Sequence, residues 1–278
     1  MRFKTTLIGF VTILVFAGSA GAAVNSAERL QAFAKMQNWS GLWELDGAPM
    51  TLQPQSTPSM DQAAIDAERK SGSPLLPATN QVMRNYPPYN DEWEAKYQAM
   101  LDMDAEKRAG QNTNFKYCAA GMPRVLASPF LFEVIVTPEK TWFYHAQREM
   151  RHIYTDGRDH PPADELWPTL WGDSVGQWEG DTLVIDTISI MPELFLDPTG
   201  AKLSGEARVQ ERWSMIDQNH LQNEITISDP VAFKPGAEWS FTRQYRRLTD
   251  YDRIIDDECG ENKRMFINED GILETILD

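Results

Sequence analysis

Short runs in which apolar and polar residues alternate fill the chain from residue 129 onward. A period of two is typical of β-strands, because successive side chains of a strand point to opposite faces of the sheet. Turn sequences such as Glu179-Gly180-Asp181 and the segment 217–220 separate neighbouring runs and favour hairpins. The pattern predicts a mainly β fold of about eight strands, an antiparallel up-and-down meander curled into a barrel or half-barrel. A flat sandwich is the alternative. The runs are residues 130–135, 140–145, 149–154, 177–178, 182–188, 208–216, 221–228 and 238–247.

The segment before the first run has helical spacing and loop composition instead. Residues 91–108 give the clearest helix, with Trp93, Tyr97, Met100 and Leu101 at helical spacing and Gly110 placed to end it. We therefore expect a helical and loop extension, about residues 23–127, on a single β-barrel domain that covers residues 23–278. Its other predicted elements are a helix at 26–36, a short strand at 39–45, and a loop at 50–77 with a brief helix near 61–70.

Residues 1–22 have the three parts of a secretory signal peptide. Arg2 and Lys4 supply the positive start, residues 7–17 form a short apolar run, and Ala20-Gly21-Ala22 supplies the small residues before a cleavage site. An uncleaved membrane anchor is the alternative, but the apolar run is shorter than the roughly 20 residues of a membrane span. We expect a periplasmic or secreted protein that does not insert into the membrane after cleavage.

The net charge limits the classes of binding partner, and the cysteine content predicts a disulfide. The chain has 26 basic and 41 acidic residues, a net charge of -15. Nucleic acids and anionic membranes need a positive field, so neither is expected as a partner. The two cysteines, Cys118 and Cys259, predict one disulfide in an oxidising compartment, with two free thiols as the alternative.

Two predicted strands carry a charged residue among apolar ones on the same face. Glu211 shares its face with Val209, Trp213 and Met215, and Arg243 shares its face with three aromatic residues, Trp239, Phe241 and Tyr245. If both faces point inward, a carboxylate and a guanidinium enter an aromatic-lined interior, where a buried charge needs a partner. We expect a Glu211–Arg243 ion pair. It either joins two strands structurally or binds a polar group of a ligand.

The loop that follows residues 149–154 concentrates polar residues. His160 lies there beside Asp156 and Arg158, and a loop at a barrel mouth is a usual place for acid–base groups. His160 is therefore a candidate general base, with Asp156 or Asp173 orienting it, and Arg158 a candidate for stabilising an anion. An ordinary solvated turn is the alternative.

No sequence motif indicates a metal or a cofactor. The histidine spacing matches no metal motif, although a strand pair bringing His145 and His152 together is an alternative. Walker, dinucleotide-binding and G-x-S-x-G patterns are absent from the sequence. We expect no cofactor and no metal.

Several motifs resemble those of a large, poorly characterised family of exported bacterial proteins. They are residues 118–124 (CAAGMPR), 153–161 (IYTDGRDHP), 172–184 (GDSVGQWEGDTLV), 211–212 (ER), 229–230 (DP) and 259–262 (CGEN). The resemblance implies a calycin-like barrel and a Cys118–Cys259 disulfide. The chain departs from the family pattern at Asp173 and Gln177, where the pattern has His or Asn and then Arg or His, and this departure points to a specificity of its own.

These features together predict a cofactor-independent enzyme of the lyase or isomerase type, which acts by acid–base chemistry on a small, largely apolar, aromatic molecule. His160, Asp156, Asp173 and Glu211 are the expected catalytic residues. The expected substrate-binding residues are Arg158, Trp178, Trp213, Trp239, Phe241, Arg243 and Tyr245. A lipocalin-like carrier is the alternative. An envelope interaction protein, with a filled barrel and an exposed apolar patch, is a third possibility.

Overall fold

The computed structural model describes residues 27–46, 87–112, 119–146, 149–197, 199–251, 253–254, 265–269 and 273–275. The predicted signal peptide, the predicted helix near residues 61–70 and both cysteines lie outside the described residues, so the signal and the disulfide stay predictions. Among the helices in these ranges, none is both long and apolar enough to cross a membrane.

Nine strands form a closed barrel, which confirms the prediction of a mainly β fold. Of the predicted shapes, the structure has the barrel and not the half-barrel or the flat sandwich. The strands follow one another in chain order around the barrel, and pairing of the first strand with the ninth closes it. They are β1 (Gly41–Asp46), β2 (Phe132–Val136), β3 (Lys140–His145), β4 (Glu149–Tyr154), β5 (Asp173–Glu179), β6 (Thr182–Ile188), β7 (Arg208–Asp217), β8 (His220–Ser228) and β9 (Glu238–Arg247). A separate two-stranded sheet joins β10 (Met265–Ile267) to β11 (Leu273–Thr275).

The prediction of a purely antiparallel meander is wrong at one seam. β4 and β5 run parallel and are joined through the single register pair Tyr154–Val175, whereas the other neighbours in the barrel are antiparallel. A parallel pair needs a crossover rather than a tight hairpin, and the 18 or so residues between these strands provide it. The loop that carries His160 is this crossover, so it runs along the barrel wall.

The alternation of the sequence defines the inside of the barrel. In β7, Val209, Glu211 and Trp213 are buried, while their neighbours in the strand are exposed. The same alternation holds in β9, where Trp239, Phe241, Arg243 and Tyr245 are buried. The period-two pattern therefore assigned the inward faces of both strands.

The described residues also form three α-helices and two short 3-10 helices: α1 (Ala27–Phe33), α2 (Asp91–Asp102), α3 (Ala105–Gly110), η1 (Arg124–Ala127) and η2 (Ala163–Glu165). The predicted helix at 91–108 is divided, because Met103 and Asp104 adopt extended backbone. The Arg108 guanidinium donates hydrogen bonds to the Met100, Leu101 and Met103 carbonyls at 3.0 to 3.3 Å. These bonds satisfy the free carbonyls at the end of α2.

The predicted N-terminal extension also contributes to the barrel. β1 closes the sheet, and its Trp43 is fully buried in the core. The Trp43 indole donates a hydrogen bond to the Trp39 carbonyl at 3.0 Å. Residues 41–46 of the predicted extension are therefore part of the barrel itself.

Candidate functional site

One hairpin brings two titratable side chains into the barrel interior. β3 ends at His145 and β4 begins at Glu149, and these residues are direct partners in the antiparallel register. Both are buried and belong to the inward-facing set of their strands. Directly opposed residues of such a pair have Cβ atoms about 5 Å apart. The imidazole and the carboxyl are therefore neighbours on the inner face of the barrel, and His145 is the one of the two that lines the interior cavity.

The hydrogen-bonding capacity of this pair is largely unused. The Nδ1 atom of His145 and both carboxyl oxygens of Glu149 are buried without a hydrogen-bond partner. The Ala120 amide faces Glu149 closely enough to act on its charge, yet makes no hydrogen bond of normal geometry with it. Buried polar groups are paired in the great majority of cases. Three unpaired atoms at one place therefore mark a candidate site for a ligand.

Burial shifts the two pKa values in opposite directions. It raises the pKa of Glu149 from 4.5 to about 7, a rise that the Ala120 amide partly offsets. Burial, reinforced by the nearby Arg151 guanidinium, lowers the pKa of His145 from 6.5 to about 3. At neutral pH the imidazole is uncharged, and the carboxyl exchanges its proton readily.

Behind this pair, Arg151 is held in one orientation by a buried ion pair. Its guanidinium makes two hydrogen bonds to Glu211, at 2.6 and 3.2 Å, and one to the Thr187 hydroxyl at 2.8 Å. The Ser174 hydroxyl lies 3.3 Å from the same group. These residues come from four different strands, and the side chains of Arg151 and Glu211 are almost completely buried. The ion pair therefore ties one side of the barrel together.

Hydrogen bonds from three side chains hold both carboxylate oxygens of Glu211. Its Oε2 atom accepts hydrogen bonds from the Trp213 indole at 2.9 Å and from the Asn223 amide at 3.0 Å, besides those of Arg151. Glu211 forms its ion pair with Arg151, so the predicted Glu211–Arg243 pair is wrong. Arg243 is buried two strands further on, in β9, opposite Asn223 of β8. The position favours the structural interpretation of Glu211.

Aromatic side chains surround a very small cavity next to this network. The cavity measures about 10 Å³, which is close to the volume that one water molecule requires. The Trp213 and Tyr245 rings stack with their centroids 4.9 Å apart. The residues that line it are Val125, Leu126, Phe132, Phe143, His145, Arg151, Trp213 and Tyr245.

A short segment covers this end of the barrel. Val125 and Leu126 of η1 lie against the cavity, and the Tyr245 hydroxyl donates a hydrogen bond to the Leu126 carbonyl at 2.9 Å. The Met122 amide donates a hydrogen bond to the Leu170 carbonyl at 2.8 Å. Burial of the Tyr245 phenol raises its pKa, so the hydroxyl stays protonated and keeps donating.

The remaining predicted aromatic residues lie elsewhere. Trp239 and Phe241 pack on each other, with centroids 4.7 Å apart, and do not line this cavity. Trp178 packs edge-on against Trp39 at 5.0 Å and is partly exposed. Of the predicted aromatic wall, Trp213 and Tyr245 thus adjoin the candidate site.

His160 does meet Asp173, as predicted, but outside the barrel wall. Its Nδ1 atom lies 2.5 Å from Asp173, and its Nε2 atom lies 3.0 Å from Asp186. Asp173 and Asp186 both point outward, because their strand neighbours Ser174 and Thr187 are buried and face the interior. Arg208 in turn donates two hydrogen bonds to Asp186, at 2.5 and 2.6 Å. Both ring nitrogens of His160 are therefore already occupied, and the barrel wall separates them from Glu211.

Asp156 and Arg158 form a local pair in the crossover loop. The guanidinium donates hydrogen bonds to the carboxylate at 2.5 to 3.1 Å, and these bonds lower the pKa of Asp156. Arg158 also lies over the Tyr154 ring at 4.1 Å, and about half of its side chain is exposed. Arg158 is thus half-exposed while Asp156 is buried, so the predicted alternative of a solvated turn holds for the guanidinium and not for the carboxylate.

Sequence reasoning missed Glu149, Arg151 and the role of His145. The alternation that identified Glu211 also places Glu149 and Arg151 on one face with Ile153, so applying it to β4 would have found them. His152, by contrast, faces outward and is exposed, so it lies on the opposite face from His145. This placement removes the metal alternative that joined the two histidines.

Within the described ranges, no three His, Cys, Asp or Glu side chains are grouped as metal ligands. Comparison with known proteins adds no assignment: no protein-family profile, no curated protein and no solved structure matches the chain.

Proposed function

We propose that the protein is an exported, cofactor-independent enzyme that applies acid–base chemistry to a small, largely apolar, aromatic molecule. The reaction type is a lyase or isomerase reaction. One observation supports this above the others: Glu149 and His145 lie side by side in the barrel interior, unpaired and with pKa values moved in opposite directions. Such a pair is the usual arrangement for dividing acid and base roles between two residues.

Glu149 is the proton-transfer group in this proposal. A pKa of about 7 lets the carboxyl take a proton from the substrate or give one back near neutral pH. His145 acts as a neutral imidazole, which holds a polar group of the substrate by a hydrogen bond without adding a charge. The Arg151–Glu211 pair supplies a fixed framework behind them.

The size of the cavity sets a condition on substrate binding. A space of about 10 Å³ takes no aromatic ring, so a substrate has to displace the segment that carries Val125 and Leu126. Among the described residues, hydrogen bonds of Met122 and Tyr245 hold that segment, and its buried side chains would be exposed by the displacement. The displaced segment would then exclude water again once the substrate is bound.

The lipocalin-like carrier would need the same displacement, because a resident apolar ligand also needs a site of about 300 Å³ or more and the interior cavity is far smaller. A carrier also has no need for a titratable pair such as Glu149 and His145. The β-barrel itself is compatible with either role.

The proposal is tested by turnover of a panel of aromatic compounds, followed by mass spectrometry. We expect Glu149→Gln to abolish product formation and His145→Gln to reduce it at least about 100-fold, the usual contribution of a positioned acid–base group. Glu224→Gln and His152→Gln make the matching changes at exposed positions and serve as controls. Full activity of Glu149→Gln on a converted compound would contradict the proposed role.

Export and family membership are part of the same proposal. They are supported by the signal-like residues 1–22 and by the motifs at 118–124, 153–161 and 172–184. N-terminal sequencing of the protein recovered from its native compartment should give Ala23 as the first residue. A chain that still starts at Met1 would contradict cleavage.

A further inference from the structure

A second site lies on the outside of the barrel, between α2 and the segment that follows β6. It is a groove of about 290 Å³, much larger than the interior cavity. Small-molecule sites begin at about 300 Å³, so the groove suits a ligand of about one or two fused rings. The residues that line it are Tyr89, Trp93, Lys96, Tyr97, Met100, Glu193, Gly200 and Lys202.

Hydrogen bonds hold the aromatic wall of the groove in place. The Tyr89 hydroxyl donates to the Lys202 carbonyl at 2.6 Å and accepts from the Lys202 amide at 2.8 Å. The Tyr97 hydroxyl lies 3.0 Å from the Thr199 hydroxyl. Burial raises the pKa of both tyrosines, so these hydroxyls remain neutral. The groove is thus preformed, which lowers the entropic cost of binding.

A close backbone approach shapes the floor of the groove. Gly200 has a φ of 86°, and a Cβ atom at this position would lie 2.5 Å from the Met100 side chain. Only glycine allows the loop to approach α2 so closely. Met100 is half-buried and Tyr97 is buried, so a planar ring in the groove would reach the Met100 thioether and only the exposed edge of the Tyr97 ring.

Two lysines lie on the rim of the groove, and each is paired with a carboxylate, Lys96 with Glu92 at 2.8 Å and Lys202 with Glu193. The Lys96 ammonium lies 4.7 Å above the Trp93 ring centroid. The Lys202 ammonium is 2.8 Å from the carboxylate of Glu193, a residue whose own side chain is 62% exposed. A carboxylate of the chain itself thus already sits at Lys202, in a position open to solvent. A ligand carboxylate can take its place at Lys202 when the exposed Glu193 side chain turns away into solvent.

We propose that this groove binds a small planar aromatic carboxylate, with its ring on the Trp93–Tyr97–Met100 side and its carboxylate on Lys202 in exchange for Glu193. This site is separate from the interior pair of Glu149 and His145. The groove would bind an aromatic acid independently of the reaction that the interior pair performs.

Binding of 1-naphthoate, measured by titration calorimetry, tests the proposal, with the neutral 1-naphthylmethanol as the comparison ligand. We expect Lys202→Gln to weaken naphthoate binding about tenfold or more, as for loss of a charge-assisted hydrogen bond. Glu193→Gln should strengthen it several-fold because the competing carboxylate is gone. Neither change should alter the affinity of the neutral alcohol.

Lys140→Gln is the matched control, since Lys202 lies over the Phe195 ring at 5.4 Å and Lys140 lies over the Tyr154 ring at 5.2 Å but belongs to β3. It should leave naphthoate binding unchanged. Naphthoate affinity that is equal in wild type, Lys202→Gln and Glu193→Gln would overturn the proposal, as would the absence of saturable binding. Glu149→Gln should keep full affinity, and a loss there would place the ligand in the interior instead.

Discussion

Replacement of Glu149 by glutamine removes one buried carboxyl and keeps the shape of the side chain. The pKa of this carboxyl is 4.5 when exposed and about 7 in the folded protein. A raised pKa means that the folded state prefers the protonated form, so the contribution of this group to stability is fully present below pH 4.5 and is lost as the pH rises through about 7. The difference between the two values corresponds to about 3 kcal/mol of unfolding free energy.

His145 has the opposite dependence. Because its pKa falls from 6.5 to about 3, its contribution is present above pH 6.5 and is lost as the pH falls through about 3. Between about pH 4.5 and 6.5 the two contributions oppose each other in the wild-type protein. The pH dependence of the wild type alone therefore does not reveal Glu149, whereas a comparison with the glutamine variant does.

Urea denaturation of wild type and Glu149→Gln across about pH 4.5 to 8 measures the effect. We expect the variant to gain about 3 kcal/mol relative to wild type between the two ends of this range, with the gain spread over the interval between the two pKa values, 4.5 and about 7. Any constant offset from the amide shifts both ends equally. Exposed Glu224→Gln should show no such change. A difference that does not vary with pH, or a variant that loses stability at the alkaline end, would refute the raised pKa.

Other substitutions test the network and the backbone. Glu211→Leu leaves the buried Arg151 guanidinium without its carboxylate and should cost about 3–5 kcal/mol in urea denaturation; a loss below about 1 kcal/mol would show that the pair contributes little. Gly172→Ala should destabilise more than Gly180→Ala by about 1–3 kcal/mol in thermal unfolding, since both have positive φ but only the first places its Cβ 2.5 Å from a backbone oxygen. His160→Gln should keep turnover, because His160 lies outside the barrel wall; abolished turnover in a folded variant would move the proton-transfer site there.

The sequence predicted which side chains of β7 point inward but not which charged residue Glu211 contacts, and the reason is geometric. Alternation along β7 placed Glu211 and Trp213 inside, since side-chain direction in a strand depends on position alone. It did not show which charge Glu211 would meet, because that depends on strand order and stagger around the barrel. Arg151, 60 residues earlier in the chain, reaches Glu211 past the two strands that lie between them.

The sequence by itself determined the strands, their inward faces and the mainly β class, because these follow from local periodicity and turn residues. The tertiary structure decided how the strands are connected and which titratable side chains are buried together. It closed the barrel through β1, ran β4 and β5 parallel, and thereby placed His160 on the outer wall. It also buried Glu149 beside His145, and burial rather than residue type moves their pKa values. Proton affinity depends on the surroundings that distant segments create, and these are not encoded in any local pattern.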